Sequence, residues 1–369
     1  MKIKILQENL ANALNLASYF VSASPRLPVL SNIYFAAEKT GLVVMATDLE
    51  TGIKKEVPAK IEKEGKITVS AKTITELVSF LPKETVELSL EKEQFKISCG
   101  KTFTSLPTIG ADEFPDFIDW DKKKKGVKKF SFKGEELFSW IKKVGFAASG
   151  DESRPALTGI YLRQGDEGVE MIATDGYRLS KVMIGKKKWE ADINIPADSF
   201  QMLEKVVDKG EDLDFLISSK EGQVLFSQNG TWVTTRLIKE EYPDFSKIIP
   251  DKSETQMVVN KEELLRAVRA ASIFARESAN IVRLKTEGGS LVISANAPQT
   301  GENKVEIEVE KKGEDVEIAF NFRFILDFLS VVETDEVEIG LSGGLKPGVF
   351  REKGNKAFLH VVMPVRIKE

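Results

Sequence analysis

The chain repeats itself, and that self-similarity constrains its fold more than any single motif does. "ATDLETG" begins at Ala46 and "ATDGYRL" at Ala173, each closing an apolar run. "RLPVLSNIYF" (26–35) answers to "SRPALTGIYL" (153–162), and "EFPDF" (113–117) to "EYPDF" (241–245). The offsets are 127, 127 and 128 residues, and the order never changes. A fainter third copy, "NIVRLKTEGGSLVISAN" (280–296), aligns with "GIYLRQGDEGVEMIATD" and sets Asn296 in the place of Asp175. A chain of 369 residues is too long for one core, so three copies of one unit is the economical reading.

Each copy has the same internal order. An amphipathic helix opens it, most clearly in "GEELFSWIKKVGFAAS", where Leu137, Trp140, Ile141 and Val144 recur at helical spacing. Leu10 and Leu264 take the matching place in the other copies. A hairpin of alternating apolar residues follows, around "KTG" (39–41), "GDEG" (165–168) or "EGG" (287–289). A second helix is predicted where Leu77, Leu203 and Leu326 each stand eight residues after a Val or Ile. Strands outnumber helices, and two helices per unit must share one sheet face, which makes the fold class α+β with antiparallel sheet.

The recurring Asp admits two readings. Asp48 and Asp175 can accept hydrogen bonds from the backbone of the turn that follows, as Asn296 could in the third copy, or Asp175 can serve a Mg²⁺-dependent enzyme. The structural reading is the expectation, because a catalytic acid has little reason to be copied into a second unit. Nothing else points to catalysis: no Gly-rich phosphate loop, no Gly-x-Ser-x-Gly elbow and no His-Glu-x-x-His are present. One histidine, His360, sits in the apolar run "FLHVVMPV" and reads as an ordinary strand residue, and one cysteine, Cys99, excludes an internal disulfide framework. No catalytic residue, metal site or cofactor is expected. With no apolar leader at "MKIKILQENL", the expectation is a cytoplasmic protein without a membrane partner.

Fifty-three basic and 57 acidic residues leave a net charge of −4, so any polyanion must be met by local segregation of charge. The lysine run "DKKKKGVKK" (121–129) falls between two copies and reads as a linker. At 100° per residue Arg266, Arg269 and Arg276 fall within about 80° of one another beside the apolar stripe of Leu264, Val268, Ala271 and Ala275. Lys72, Lys142, Lys143, Lys205 and Arg323 take comparable helical places in the other copies, which suggests a helical surface of one sign. In the tail, Pro364 cannot donate to a ladder and marks a strand end beside the apolar run Val361, Val362, Met363.

Taken together, "LPVLSNI", "ATDLE", "ATDGYRL", "EYPDF", "NFRFILDFL" and the terminal "VVMPVRI" resemble the bacterial sliding clamp, the DNA polymerase III beta subunit, over the whole chain. The resemblance implies three clamp-type domains, 1–121, 122–250 and 251–369, each with two helices on antiparallel sheet. It implies a head-to-tail homodimer closing as a six-domain ring around duplex DNA, held on it by topology and without base readout. Arg26 would join the DNA-facing residues named above, and Phe103 of one subunit would meet Ile273 and Phe274 of the other. A cleft for peptides of the Gln-Leu-x-Leu-Phe kind would use Leu157, Thr174, Gly176, Arg178, Leu179, Pro243, Lys247 and Ile248. From the third copy it would take Asn321, Phe324, Leu345, Pro347, Val361, Val362, Met363, Pro364, Val365 and Arg366. The implied partners are double-stranded DNA, the DNA polymerase III alpha subunit, the clamp loader and other proteins that carry the clamp-binding motif. The family pattern is broken at Pro155 and Ala156, where some relatives carry aromatic residues, and in "PADSF", which lacks basic residues.

Overall fold

The computed structural model describes residues 1–22, 27–115, 127–185, 189, 191–250, 252–299 and 301–366. Its contacts divide into two units, Met1–Phe138 with Asp198–Leu237, and Ser139–Ala197 with Ile238–Glu369. The middle repeat is shared between them, and the reason is the course of the sheets. Strands of consecutive repeats pair directly, so one continuous sheet holds parts of two repeats.

In the first unit an eight-stranded sheet runs Val127–Lys133, Asp212–Ser218, Gln223–Gln228, Thr231–Arg236, Thr51–Val57, Gly41–Thr47, Asn32–Glu38, Gly65–Ser70. Thr231–Arg236 and Thr51–Val57 join the second and first repeats. A five-stranded sheet holds Lys60–Lys63, Lys2–Leu6, Thr85–Glu91, Gln94–Cys99 and, at its edge, Thr102–Pro107. The second unit repeats the scheme. Its nine-stranded sheet joins Arg178–Gly185 of the second repeat to Phe358–Val362 of the third, and a four-stranded sheet ends at Gly301–Glu308.

Six helices are seen among the described residues: α1 (Gln7–Ser18), α2 (Ala71–Ser79), α3 (Gly134–Gly145), α4 (Ala197–Val206), α5 (Lys261–Ala275) and α6 (Phe322–Val331). Local chemistry starts them. Ser70 accepts from the Thr73 N–H, Asn260 from Glu262 and Glu263, and Asn321 from Arg323, each satisfying amides that the helix itself leaves open. Burial then holds them: in α5 the predicted stripe of Leu264, Val268, Ala271 and Ala275 is buried, and Ala267 with it. The fold is α+β, as the repeat pattern requires.

The duplicated Ala-Thr-Asp segment builds the same turn in both units. Thr47 and Thr174 each donate to a carbonyl four residues on, at 2.6 Å, and each accepts an amide two residues on. Asp48 accepts the Glu50 and Thr51 amides at 2.9 and 2.7 Å, and Asp175 accepts those of Tyr177 and Arg178 at 2.9 and 3.0 Å. Both carboxylates are therefore spent on the turn, which answers the enzyme reading of Asp175. The turn needs positive φ at the next residue, and Gly176 (φ 92°) meets this without strain while Leu49 (φ 81°) bears it. Asn296 differs from the expectation: its strand, Ser290–Ala297, goes on pairing as far as Ala297 opposite Gly301, so no turn begins there. The lysine run lies mostly outside the described residues, and Lys128 and Lys129 belong to the strand Val127–Lys133.

Candidate peptide cleft and basic helix surface

The register of the large sheets places two matching rows of side chains in each unit. In the second unit Leu359, Lys181, Ile172 and Tyr161 stand abreast, followed by Val361, Leu179 and Thr174. In the first unit the same grid reads Trp232, Lys54, Met45 and Tyr34, followed by Thr234, Gly52 and Thr47. Where the second unit has Leu179 and Val361, the first has Gly52 and Thr234. Only the second unit therefore has an aliphatic floor at this point.

Each "E-aromatic-P-D-F" segment straps its aromatic onto the tyrosine that both grids share. Phe114 lies 5.1 Å from the Tyr34 ring, and Tyr242 stacks on Tyr161 at 4.5 Å with 6° between planes. In the second unit Phe245 joins edge-on at 6.1 Å from Tyr242, and the group closes into one apolar cluster with Ile172, Leu179, Leu359 and Val361. Burial pushes the Tyr242 phenol well above its ordinary pKa, which keeps it neutral.

Above this floor the tail is fixed by two backbone hydrogen bonds. The Met363 amide donates to the Tyr177 carbonyl at 2.8 Å, and the Val365 amide to the Ala319 carbonyl at 2.8 Å. Pro364, which can donate nothing, falls between them at the predicted strand end. The rim is apolar and partly open: Met363 and Ile248 are each 37% exposed and Leu345 is 71% exposed, while Leu157, Pro347, Pro364 and Val365 are half-buried. Gly176, Pro243, Lys247 and Arg366 are exposed; Thr174 is buried with its hydroxyl on the Arg178 carbonyl; Asn321 caps α6. Strand alternation sends Leu179 and Val361 to the floor, and Arg178, His360 and Val362 to the opposite, helix-bearing face. There the Arg178 guanidinium lies 4.6 Å from the Phe324 ring.

Two further groups escaped the sequence reading. Tyr177 is 62% exposed at the apex of the turn that holds the tail, and Arg154 reaches to 3.4 Å of where a β-carbon on Gly176 would sit. Tyr177 was legible as the residue after a turn glycine; Arg154, 22 positions upstream in a loop, offered no pattern.

Of the residues expected to face DNA, Lys72, Lys142, Lys205, Arg266, Arg269, Arg276 and Arg323 are exposed on helices or their ends, and among the described residues none of them forms an ion pair. Lys205 covers the Tyr19 ring at 4.9 Å. Arg26 lies outside the described residues. Lys143 is a correction: it is buried, with its ammonium 3.1 Å from the buried Glu352 carboxylate and 3.4 Å from Glu333. Its charge is neutralised inside the second unit and offers nothing to a polyanion. Phe103 is 79% exposed on the edge strand Thr102–Pro107, and on α5 Ile273 is 60% exposed with Phe274 half-buried.

Three family models, described as the N-terminal, central and C-terminal domains of the DNA polymerase III beta subunit, match residues 1–118, 131–244 and 246–366. The chain is 29% identical over 378 residues to the beta sliding clamp of Synechococcus elongatus, with both chains wholly covered. It is 29% identical over 383 residues to that of Bacillus subtilis, with 99% of this chain and 100% of the relative covered. Among solved structures, the DNA polymerase sliding clamp from Bacillus subtilis superposes with a TM-score of 0.93 at 28% identity, and the DNA polymerase III beta subunit from Thermotoga maritima with 0.89 at 29%, each over the whole of both chains.

Proposed function

Because the chain belongs to the DNA polymerase III beta subunit family, the bacterial sliding clamps, we propose that it is a non-catalytic processivity factor that encircles duplex DNA. Its three domains are 1–121, 122–250 and 251–369; the sequence offsets and the three family matches support these limits, and the sheets that cross them account for the two contact units. Two copies join head to tail, the exposed Phe103 edge of one meeting Ile273 and Phe274 on α5 of the other. Such a heterologous contact closes a ring after two copies and covers exposed strand edges. The chain works in the cytoplasm; no described helix is long and apolar enough to cross a membrane.

The observation that carries the reading is that helices of all three repeats carry exposed cations, Lys72, Lys142, Lys205, Arg266, Arg269, Arg276 and Arg323, with no ion pair among the described residues, in a chain whose net charge is −4. Each phosphate neutralised adds salt-dependent affinity and resists sliding, so a protein held by topology needs only a modest basic lining and no base contacts. The test is retention. On nicked circular DNA at high salt the loaded protein stays bound and is released when the circle is cut. Equal loss from circular and linear DNA, or a solution mass of one 41.1 kDa chain instead of two, rules out the ring.

The cleft over Leu179 and Val361 receives short Gln-Leu-x-Leu-Phe segments of the DNA polymerase III alpha subunit, the clamp loader and other partners. An aliphatic floor with a few polar anchors suits such a peptide, bound weakly enough to exchange. Deleting Met363–Glu369 removes the tail that Tyr177 and Ala319 hold. The expected loss in peptide affinity is at least about 100-fold, with the dimer mass unchanged. Unchanged affinity, read by fluorescence anisotropy, refutes the placement.

A further inference from the structure

Arg178 was expected to line the cleft, but its side chain leaves the floor and enters the helix-bearing face. There its guanidinium is gripped from three directions. Nε donates to Asp175 at 3.0 Å, Nη1 to Asp327 of α6, and Nη2 to the Phe146 carbonyl just beyond α3 at 2.7 Å. The planar group also lies over the rings of Phe324, at 4.6 Å, and Phe146, at 5.5 Å. Its side chain is 11% exposed and that of Asp175 16%. Three acceptors in separate directions use the fixed fork of an arginine, which a lysine ammonium cannot reproduce.

The segments so joined are the ones that shape the rim. Asp175 and Arg178 bracket the turn whose apex, Tyr177, holds Met363 by its carbonyl. Asp327 and Phe324 lie on α6, and the strand before α6 supplies Ala319, which holds Val365. The first unit has the same turn with Thr51 in place of Arg178. Among the described residues that hydroxyl reaches Asp48, at 3.1 Å, and the Met202 sulfur, at 3.6 Å, and no ion pair ties the turn to a helix.

We propose that Arg178 is a positioning residue for the cleft: by locking the Tyr177 turn to α6 and to the end of α3, it fixes the spacing of the two carbonyls that hold the tail, without itself touching the peptide. The inference rests on the cleft reading above.

The test uses the full-length dimer and the pentapeptide Gln-Leu-Ser-Leu-Phe, with affinity read by fluorescence anisotropy and amide exchange at Met363 and Val365 read by NMR. Arg178→Met and Asp327→Asn are each expected to weaken binding about 10- to 100-fold and to speed exchange at both amides. Arg178→Lys, which keeps the charge and loses the fork, recovers little. Because both changes break one unit, the double variant is no weaker than Arg178→Met alone. If wild type binds and Arg178→Met or Asp327→Asn binds within twofold of it, or if the two losses add, the inference is wrong. If wild type does not bind the peptide at all, the cleft reading fails and this inference with it. Should Arg178→Met not fold, Asp327→Asn decides alone, since that side chain is 44% exposed and the Arg178 charge keeps Asp175 as its counterion.

Discussion

Lys143→Met destabilises the second unit by about 3–5 kcal/mol, which is the cost of removing one partner from a buried ion pair. Glu352 is 2% exposed, and its carboxylate accepts from Lys143 at 3.1 Å, from the Asn355 amide at 2.6 Å and from the Glu333 backbone N–H at 3.0 Å. Methionine fills the space of the lysine stem but leaves the charge with two neutral donors and no counterion. Lys143 also lies 5.5 Å from the Phe358 ring, so solvent has little access to repair the loss. Adding Glu352→Gln removes the stranded charge and keeps an acceptor for Glu333, and the double variant recovers about 2 kcal/mol of the deficit. Urea unfolding of the two variants checks both figures. A single variant within about 0.5 kcal/mol of wild type would show the pair to be solvated.

This residue shows where sequence reasoning stops. At 100° per residue Lys143 sits about 110° from the centre of the Leu137–Val144 stripe, a flank that a helical wheel assigns to solvent. What buries it is Glu352, 209 positions later, on a strand whose place beside α3 is set by sheet pairing and not by local pattern. Lys142, about 150° from the same centre, is exposed as expected. The elements themselves were legible, because period 3.6, period 2 and the turn chemistry of Ala-Thr-Asp are local signals. The union of neighbouring repeats into continuous sheets was not, since nothing in "TWVTTR" names "TGIKKEV" as its partner. For the same reason Arg178 read as a lining residue: its motif placed it beside Leu179, and only the pleat sends the two side chains to opposite faces.

His360 shows the opposite case, an ordinary strand position whose burial gives it a measurable consequence. It is wholly buried, stacked on Phe328 at 5.6 Å with 9° between planes, and its Nδ1 shares a 2.7 Å hydrogen bond with Ser180 Oγ. Among the described residues Nε2 has no hydrogen-bond partner of normal length and angle. Burial, with a smaller push from the Arg178 charge, lowers its pKa from 6.5 to about 3. The folded pKa lies below the unfolded one, so between those values the unfolded chain binds the extra proton and stability falls as pH falls. The contribution is intact above pH 6.5, is lost progressively below it, and has gone by about pH 3. Between pH 6.5 and 4 the loss amounts to roughly 3 kcal/mol at about 1.36 kcal/mol per pH unit. Hydrogen bonds from Lys96 and Lys285 hold the exposed carboxylates of Glu91 and Glu287 below the usual range, so these groups add a fall of the same sign as pH approaches the ordinary carboxylate range. The chain has one histidine, and the N-terminal ammonium, which burial and Lys63 also hold below its ordinary value, adds a fall of the same sign at the upper end, so the share of His360 is the difference between wild type and a variant without it. His360→Phe with Ser180→Ala keeps the ring against Phe328 and leaves no hydroxyl unpaired. Urea unfolding of that variant at pH 7, 6, 5 and 4.5 gives a shallower decline than wild type, whereas a decline of equal slope in both proteins would place the proton uptake elsewhere.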